Sequence, residues 1–128
     1  MSEFVTRGGR ALQLRRLDKR ETKRQVERFL GADRADGWQL TDAFDRLFDY
    51  CARGVVDDPP VDAFTDLPDF LQPDDGDGDP DRRRADWLRL VVLGDVQESI
   101  LLAASVCGLA LGYTVKQVRR LQTNLGRQ

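Results

Sequence analysis

The most apolar stretch of the chain runs from Trp87 to Leu111, with the sequence WLRLVVLGDVQESILLAASVCGLAL. Its apolar residues are too dense for a single helical stripe, which predicts a central helix buried on several sides. Gly94 and Gly108 mark either a break in this helix or a close helix crossing, and a strand over Leu88 to Leu93 is an alternative. The longest uncharged run, Ser99 to Thr114, is about two residues shorter than the roughly 18 that a membrane span requires. No membrane segment is expected.

The apolar spacing upstream predicts an amphipathic helix that starts at Asp18 and ends near Gly31. Asp18 and Glu21 have the spacing of a capping box, which marks a helix start. The expected buried stripe of this helix consists of Thr22, Val26, Phe29 and Leu30.

The segment before this helix has two interpretations. Arg10 to Leu17 is either a short strand with Leu12 and Leu14 on one face, or the first turns of one helix that continues to Leu30. Residues 1–9 are mostly polar and contain Gly8 and Gly9, so they are expected to form a flexible lead-in.

Further helices are predicted on both sides of an irregular middle. Thr41 or Asp42 would cap a helix that Gly54 stops, and its apolar stripe is Ala43, Phe44, Leu47, Phe48 and Cys51. Val55 to Leu71 contains three prolines and is expected to be irregular. Another helix should begin near Asp81, and a last one at Thr114.

These elements predict an all-α protein, a small bundle of about four to five helices around the hydrophobic central helix Trp87 to Leu111. Gln72 to Asp81 is expected to be an acidic surface loop, disordered in character. The chain has 128 residues, which suits a single domain over residues 1–128. The N-terminus lacks a signal-peptide pattern and Cys51 and Cys107 suit a reducing compartment, so a cytoplasmic location is expected.

The composition argues against an enzyme and against a metal site. The chain contains no histidine, and its two cysteines are far apart without a C-x-x-C motif. The commonest general base and most zinc ligands are therefore missing, and no cofactor is expected. Asp95 and Glu98 form the only acidic pair that suggests catalysis, and we expect them to face solvent or to pair with nearby arginines.

Charge is segregated along the chain. Residues 1–30 contain nine basic and four acidic side chains, residues 31–81 three and fifteen, and residues 82–128 eight and three, which gives +5, −12 and +5. Such blocks indicate a surface for a polyanion, or acidic and basic faces that pair between copies.

Three basic clusters are candidate phosphate contacts. On a helix, the first would cover about 13 Å of one face, and the dense arginine favours phosphate because a guanidinium donates two hydrogen bonds at once. The clusters are Arg15, Arg16, Lys19, Arg20, Lys23 and Arg24; Arg82, Arg83 and Arg84; and Lys116, Arg119 and Arg120.

Two segments resemble DNA-binding families. Residues 10–53, a strand and two helices, resemble the ribbon-helix-helix family, which implies that strands pair across a dimer and that Gln13 and Arg15 contact bases. The segment GLALGYTVKQVRRLQ resembles a helix-turn-helix unit, with Gly112 in the turn. That resemblance implies a DNA-facing set of Thr114, Lys116, Gln117 and Arg120. It also requires the rest of the domain or a partner to cover Ser105, Val106, Leu109 and Ala110, unless this is an ordinary helical hairpin.

The sequence favours a non-enzymatic helical subunit that binds nucleic-acid backbone within a larger assembly, with protein partners or self-association. In size, helical character and charge the chain is similar to the small subunits of CRISPR effector complexes, an analogy that no motif carries. One alternative is a helix-turn-helix or ribbon-helix-helix transcription regulator. Another is a structural protein of a phage or virus, such as a connector or tail component.

Overall fold

Alternating apolar residues near the N-terminus and helical periodicity further on give a mostly helical fold with one β-hairpin. A computed structural model describes residues 2–32, 37–72 and 79–113. In these ranges the strands are β1 (Ser2–Val5) and β2 (Ala11–Leu14), and the helices are α1 (Lys19–Ala32), α2 (Gly37–Cys51), α3 (Pro80–Trp87) and α4 (Val96–Ala110). The predicted, mostly helical character is confirmed, and the structure adds a small two-stranded sheet that the sequence analysis did not predict.

The hairpin corrects the expectation for residues 1–9. β1 pairs antiparallel with β2, with Phe4 opposite Leu12, and both side chains are 1% exposed. Gly9 makes the turn at a φ of +87°, a backbone conformation that glycine adopts without strain. The lead-in is therefore a strand, because one large apolar side chain, Phe4, reaches the core. Of the two interpretations of Arg10 to Leu17, the structure adopts the strand.

The second edge of β2 pairs with the segment that follows α2. Leu14 forms a β-bridge with Val55, and the backbone N–H of Val56 donates to the carbonyl oxygen of Gln13 at 2.8 Å. The backbone N–H of Arg15 donates to the carbonyl oxygen of Gly54 at 2.9 Å. Both edges of β2 are thus occupied by the chain itself.

The start of α1 confirms the predicted cap, since the Asp18 carboxylate accepts the backbone N–H of Glu21 at 2.8 Å. Thr22 is fully buried, and its hydroxyl shares a hydrogen bond of 2.7 Å with the Tyr50 hydroxyl on α2. Phe29 packs edge-on against Phe44, with ring centroids 6.1 Å apart. Leu30, placed in the buried stripe by the sequence, is instead 58% exposed.

The helix α2 begins at Gly37, four residues or more before the predicted cap at Thr41 or Asp42. Capping residue types are also tolerated inside helices, so they do not by themselves fix a start. The helix α3 begins at Pro80, and Asp79 rather than Asp81 is its cap. Within the predicted acidic loop, residues 73–78 lie outside the described residues, as does the predicted last helix from Thr114.

The apolar stretch from Trp87 to Leu111 is two helical pieces, so the prediction of one central helix is wrong. A π-helical turn over Leu88–Val92 extends α3, and α4 starts after Asp95, which caps it by accepting the backbone N–H of Glu98 at 2.8 Å. The break falls at Gly94, and the strand alternative is not adopted. Along the described chain, no helix has both the length and the apolar character for a membrane crossing.

Burial of α4 on several sides, which the sequence predicted, is confirmed. Ten of its fifteen residues are buried, and they include Leu102, Val106 and Leu109. The hairpin, α1, α2 and α3 contribute the remaining core side chains, among them Leu12, Phe48 and Leu88. The apolar half of the protein is therefore assembled around α4.

Of the two expectations for the acidic pair, pairing with an arginine is confirmed for Asp95, whereas solvent exposure is wrong for Glu98. Its side chain lies 2% exposed, and its carboxylate accepts the backbone N–H of Arg7 in the hairpin turn and the backbone N–H of Gly94 at 2.8 Å. Asp95 pairs with the Arg7 guanidinium at 2.6 Å. The two carboxylates therefore fasten the hairpin to the start of α4, which is a structural role.

We predict that Gly54→Ala destabilises the protein by about 1–3 kcal/mol, as overpacking of a core does. The added Cβ would lie 2.6 Å from Cγ1 of the fully buried Val106. Urea unfolding measures the change in the free energy of unfolding. Gly31→Ala is the matched control, because no atom lies within 4 Å of its added Cβ. Equal stability of the two variants would contradict the close approach at Gly54.

We predict that Glu98→Ala lowers the free energy of unfolding by about 1–3 kcal/mol, because two partly buried backbone N–H groups lose their acceptor. Glu98→Gln keeps one acceptor oxygen and should lose less. The exposed Glu27 provides the control, since Glu27→Ala should change the free energy by less than about 0.5 kcal/mol. The measurement is urea unfolding followed by circular dichroism, and a Glu98→Ala change as small as the control would refute the role.

Candidate nucleic-acid interface

The basic face of α1 points away from the core. Thr22 is buried and Val26 and Phe29 are half-buried on one side of the helix. Residues on the opposite side lie three to four positions apart and are exposed. All six members of the first predicted cluster are exposed: Arg15, Arg16, Lys19, Arg20, Lys23 and Arg24. Lys19, Arg20, Lys23 and Arg24 lie on α1 and define what we call the α1 basic face, whereas Arg15 and Arg16 precede the helix.

Few of these cations have protein partners. The Nε of Arg15 donates to the carbonyl oxygen of Arg53 at 2.7 Å, and Arg24 pairs with Glu21 at 3.5 Å. The other four, Arg16, Lys19, Arg20 and Lys23, make no ion pair or side-chain hydrogen bond with any residue in the described ranges. Their full charge is available to an external anion.

Arg28 belongs to the same face and was missed in the sequence analysis. It is exposed, it continues the row of Arg20 and Arg24 at four-residue spacing, and within the described part of the chain it has no ion-pair partner. This four-residue spacing is visible in the sequence, but the predicted cluster included residues only as far as Arg24. With Arg28, the basic residues between positions 15 and 28 number seven and the acidic ones three, a net charge of +4.

The helical part of this face, from Lys19 to Arg28, is about 14 Å long at the usual rise of 1.5 Å per residue. B-DNA carries one negative charge for about every 1.7 Å of its axis, so a surface of this length meets several phosphates. The side chains that project from it are long and carry ammonium or guanidinium groups. The arrangement can neutralise phosphates, and it positions no group for base-specific contact.

A groove of about 570 Å³ lies beside this face, between α1 and α2. Arg28 stands on its α1 side, and Arg46, which pairs with Asp42 at 3.2 Å, stands on its α2 side. The floor is largely apolar, from Phe29, Ala43 and Leu47. Asp42 also lines the groove and neutralises Arg46, so the positive charge of the groove comes from Arg28.

The second predicted cluster does not form a common surface for phosphate. Arg83 donates to the carbonyl oxygens of Pro60 and Val61, at 2.9 and 3.2 Å, and its guanidinium lies 5.0 Å from the ring centroid of Phe64. The side chain of Arg84 is only 13% exposed. It contacts the carboxylates of Asp58 and Asp81 and the carbonyl oxygen of Asp57.

These two arginines hold the irregular segment after α2 against α3, so their donors are already used. Arg82 is exposed beside them. The members of the third cluster, Lys116, Arg119 and Arg120, lie outside the described residues. Among the described residues, the first predicted cluster is the one whose members are all exposed.

The pairing of strand β2 does not agree with the ribbon-helix-helix resemblance. In that family the strand pairs with its copy in a second subunit, whereas here β1 and the segment around Val55 occupy both edges of β2. Arg15 is exposed, but the backbone N–H of Gln13 bonds to the Asp57 carboxylate at 2.8 Å in that packed arrangement. The strand is internal to one chain.

The structure describes only the first helix and the turn of the segment that resembles a helix-turn-helix unit. Ser105, Val106, Leu109 and Ala110 on α4 are all buried, so the domain itself covers these positions. Gly112 has a φ of +99°, which fits the predicted turn. The DNA-facing set that this resemblance implies lies outside the described residues: Thr114, Lys116, Gln117 and Arg120.

Comparisons with known proteins add no functional assignment. No protein-family model, curated protein or solved structure matches this chain. Among the described residues, no group of three or more histidine, cysteine, aspartate or glutamate side chains is placed to hold a metal ion. A function therefore has to be argued from the α1 basic face itself.

Proposed function

We propose that this protein binds the phosphate backbone of nucleic acid through the α1 basic face, as a non-enzymatic subunit of a larger nucleoprotein assembly. The observation that carries the proposal is the row of exposed cations on α1, of which Lys19, Arg20, Lys23 and Arg28 make no ion pair with the described residues, in contrast to the occupied Arg83 and Arg84. A polyanion is the ligand that such a row neutralises best.

The mechanism is electrostatic. Each cation that neutralises a phosphate releases a condensed counterion, so affinity falls steeply with salt. Contacts to phosphate fix position and carry little sequence information. Binding through this face should therefore be weakly sequence-specific, and the groove between α1 and α2 would add the guanidinium group of Arg28 at its edge.

Membership of an assembly is supported by exposed apolar side chains outside α1. The segment after α2 carries strongly exposed apolar side chains, Val61 at 99% and Phe70 at 83%. The acidic charge of the chain is concentrated in the same part, residues 31–81. Exposed apolar side chains in an acidic part of the chain are suited to contact with a protein partner or a second copy, while α1 contacts nucleic acid.

The test measures binding of labelled random single- and double-stranded oligonucleotides at about 50 and 200 mM salt. The wild-type protein should lose at least about tenfold in affinity over that range. Lys19→Gln combined with Lys23→Gln removes two charges from α1 at similar helix propensity. This variant should bind at least about tenfold more weakly at 50 mM salt, with a salt slope smaller by roughly 2.

The matched control is Arg10→Gln combined with Arg53→Gln, which removes the same charge from exposed positions outside α1. The control should bind nearly as the wild type does, and circular dichroism should show that both variants stay folded. Equal loss in the two variants would mean that only net charge matters, and would remove α1 as the site. Absence of wild-type binding at 50 mM salt would reject the proposed function.

A further inference from the structure

The two cysteines, which lie 56 positions apart in the sequence, are neighbours in the core. Cys51 is the last residue of α2, and Cys107 lies in the last turn of α4. Their Sγ atoms are 3.6 Å apart, and the side chains are free thiols. A disulfide needs a sulfur separation of about 2.05 Å, so the two atoms would have to approach by about 1.5 Å.

We propose that Cys51 and Cys107 form an oxidisable dithiol, which a hydroperoxide converts into an intramolecular disulfide that fastens α2 to α4. Hydrogen peroxide is small enough to reach buried sulfur during local opening of the fold. The pair is already in contact, so oxidation of one sulfur presents it directly to the other. This inference does not depend on the proposed function.

The reaction has two balanced steps. The Cys107 thiolate attacks one oxygen of hydrogen peroxide, the O–O bond breaks, and the hydroxide that leaves takes up the thiol proton as water, which gives a sulfenic acid. The Cys51 sulfur then attacks the Cys107 sulfur, the S–O bond breaks, and a second water leaves. Two thiols and one peroxide yield one disulfide and two waters.

The order of the two steps follows from the surroundings of each sulfur. Cys107 is 9% exposed and Cys51 only 1%. A hydrogen bond from the Cys51 thiol lowers the pKa of Cys107, while the same contact and burial raise the pKa of Cys51. The more accessible sulfur is thus also the one that ionises first, and the thiolate is the form that attacks a peroxide.

The disulfide would stabilise the C-terminal end of α2, which holds α1 through a hydrogen bond. Tyr50, next to Cys51, holds the buried hydrogen bond to Thr22 of α1. A cross-link between residues 51 and 107 closes a loop of more than 50 residues, and long loops gain the most from a cross-link because the unfolded chain loses the most freedom. Oxidation is expected to raise the melting temperature by roughly 5–10 °C.

The experiment treats the folded wild-type protein with hydrogen peroxide in the absence of reductant, and measures intact mass, free thiols and oligomeric state. We expect a species lighter by about 2 Da with both thiols lost together, and dithiothreitol should restore the original mass. Peptide mapping without reduction should recover Cys51 and Cys107 in one cross-linked fragment.

Two variants separate the steps. In Cys51→Ser the sulfenic acid at Cys107 has no resolving thiol, so dimedone should label Cys107 there and not in the wild type. In Cys107→Ser only the deeply buried Cys51 remains. It should react with hydrogen peroxide at least about tenfold more slowly than Cys107 does in Cys51→Ser. A mass gain of about 16 or 32 Da that peptide mapping assigns to Cys51 or Cys107 would overturn the proposal, as would a cross-link between two chains or two thiols that stay free.

Discussion

The burial of α4 is the constraint on which the rest of the fold depends. Ten of the fifteen residues of α4 are buried, and the helices α1 and α2 pack against it. Glu98 joins the hairpin to this helix with a buried carboxylate, and Gly54 allows the chain to pass close to Val106. Each of these elements therefore packs one side against α4 or its neighbours.

That commitment explains why α1 presents its charges outward. Thr22 on its inner side is fixed by the Tyr50 hydroxyl, and Phe29 packs against Phe44, so the rotation of α1 about its own axis is set. On the other side, Lys19, Arg20, Lys23 and Arg28 make no ion pair with the described residues. A fixed helix with unpaired cations is better prepared for a polyanion than a mobile basic segment, because less conformational entropy is lost on binding.

Arginine has two different uses in this protein. Arg83, Arg84 and Arg89 all donate to backbone carbonyls of segments that are distant in sequence. Arg84 and Arg89 also pair with carboxylates, and the guanidinium groups of Arg83 and Arg89 lie over aromatic rings. The arginines of the α1 basic face make few such contacts. A guanidinium can do either, since it offers five donors and a flat apolar surface. The residue type alone does not distinguish a packing arginine from a binding one.

The sequence by itself determined the amphipathic α1 with its Asp18 cap, the many-sided burial of α4 and the alternation of Leu12 and Leu14, because these are periodic patterns within one element. Tertiary structure alone decided the rest. The contacts of Glu98 with Arg7, of Cys51 with Cys107 and of Arg84 with Asp58 join residues far apart in the chain. Local periodicity states which side of a helix is buried, but the identity of the partner on that side depends on how the elements pack.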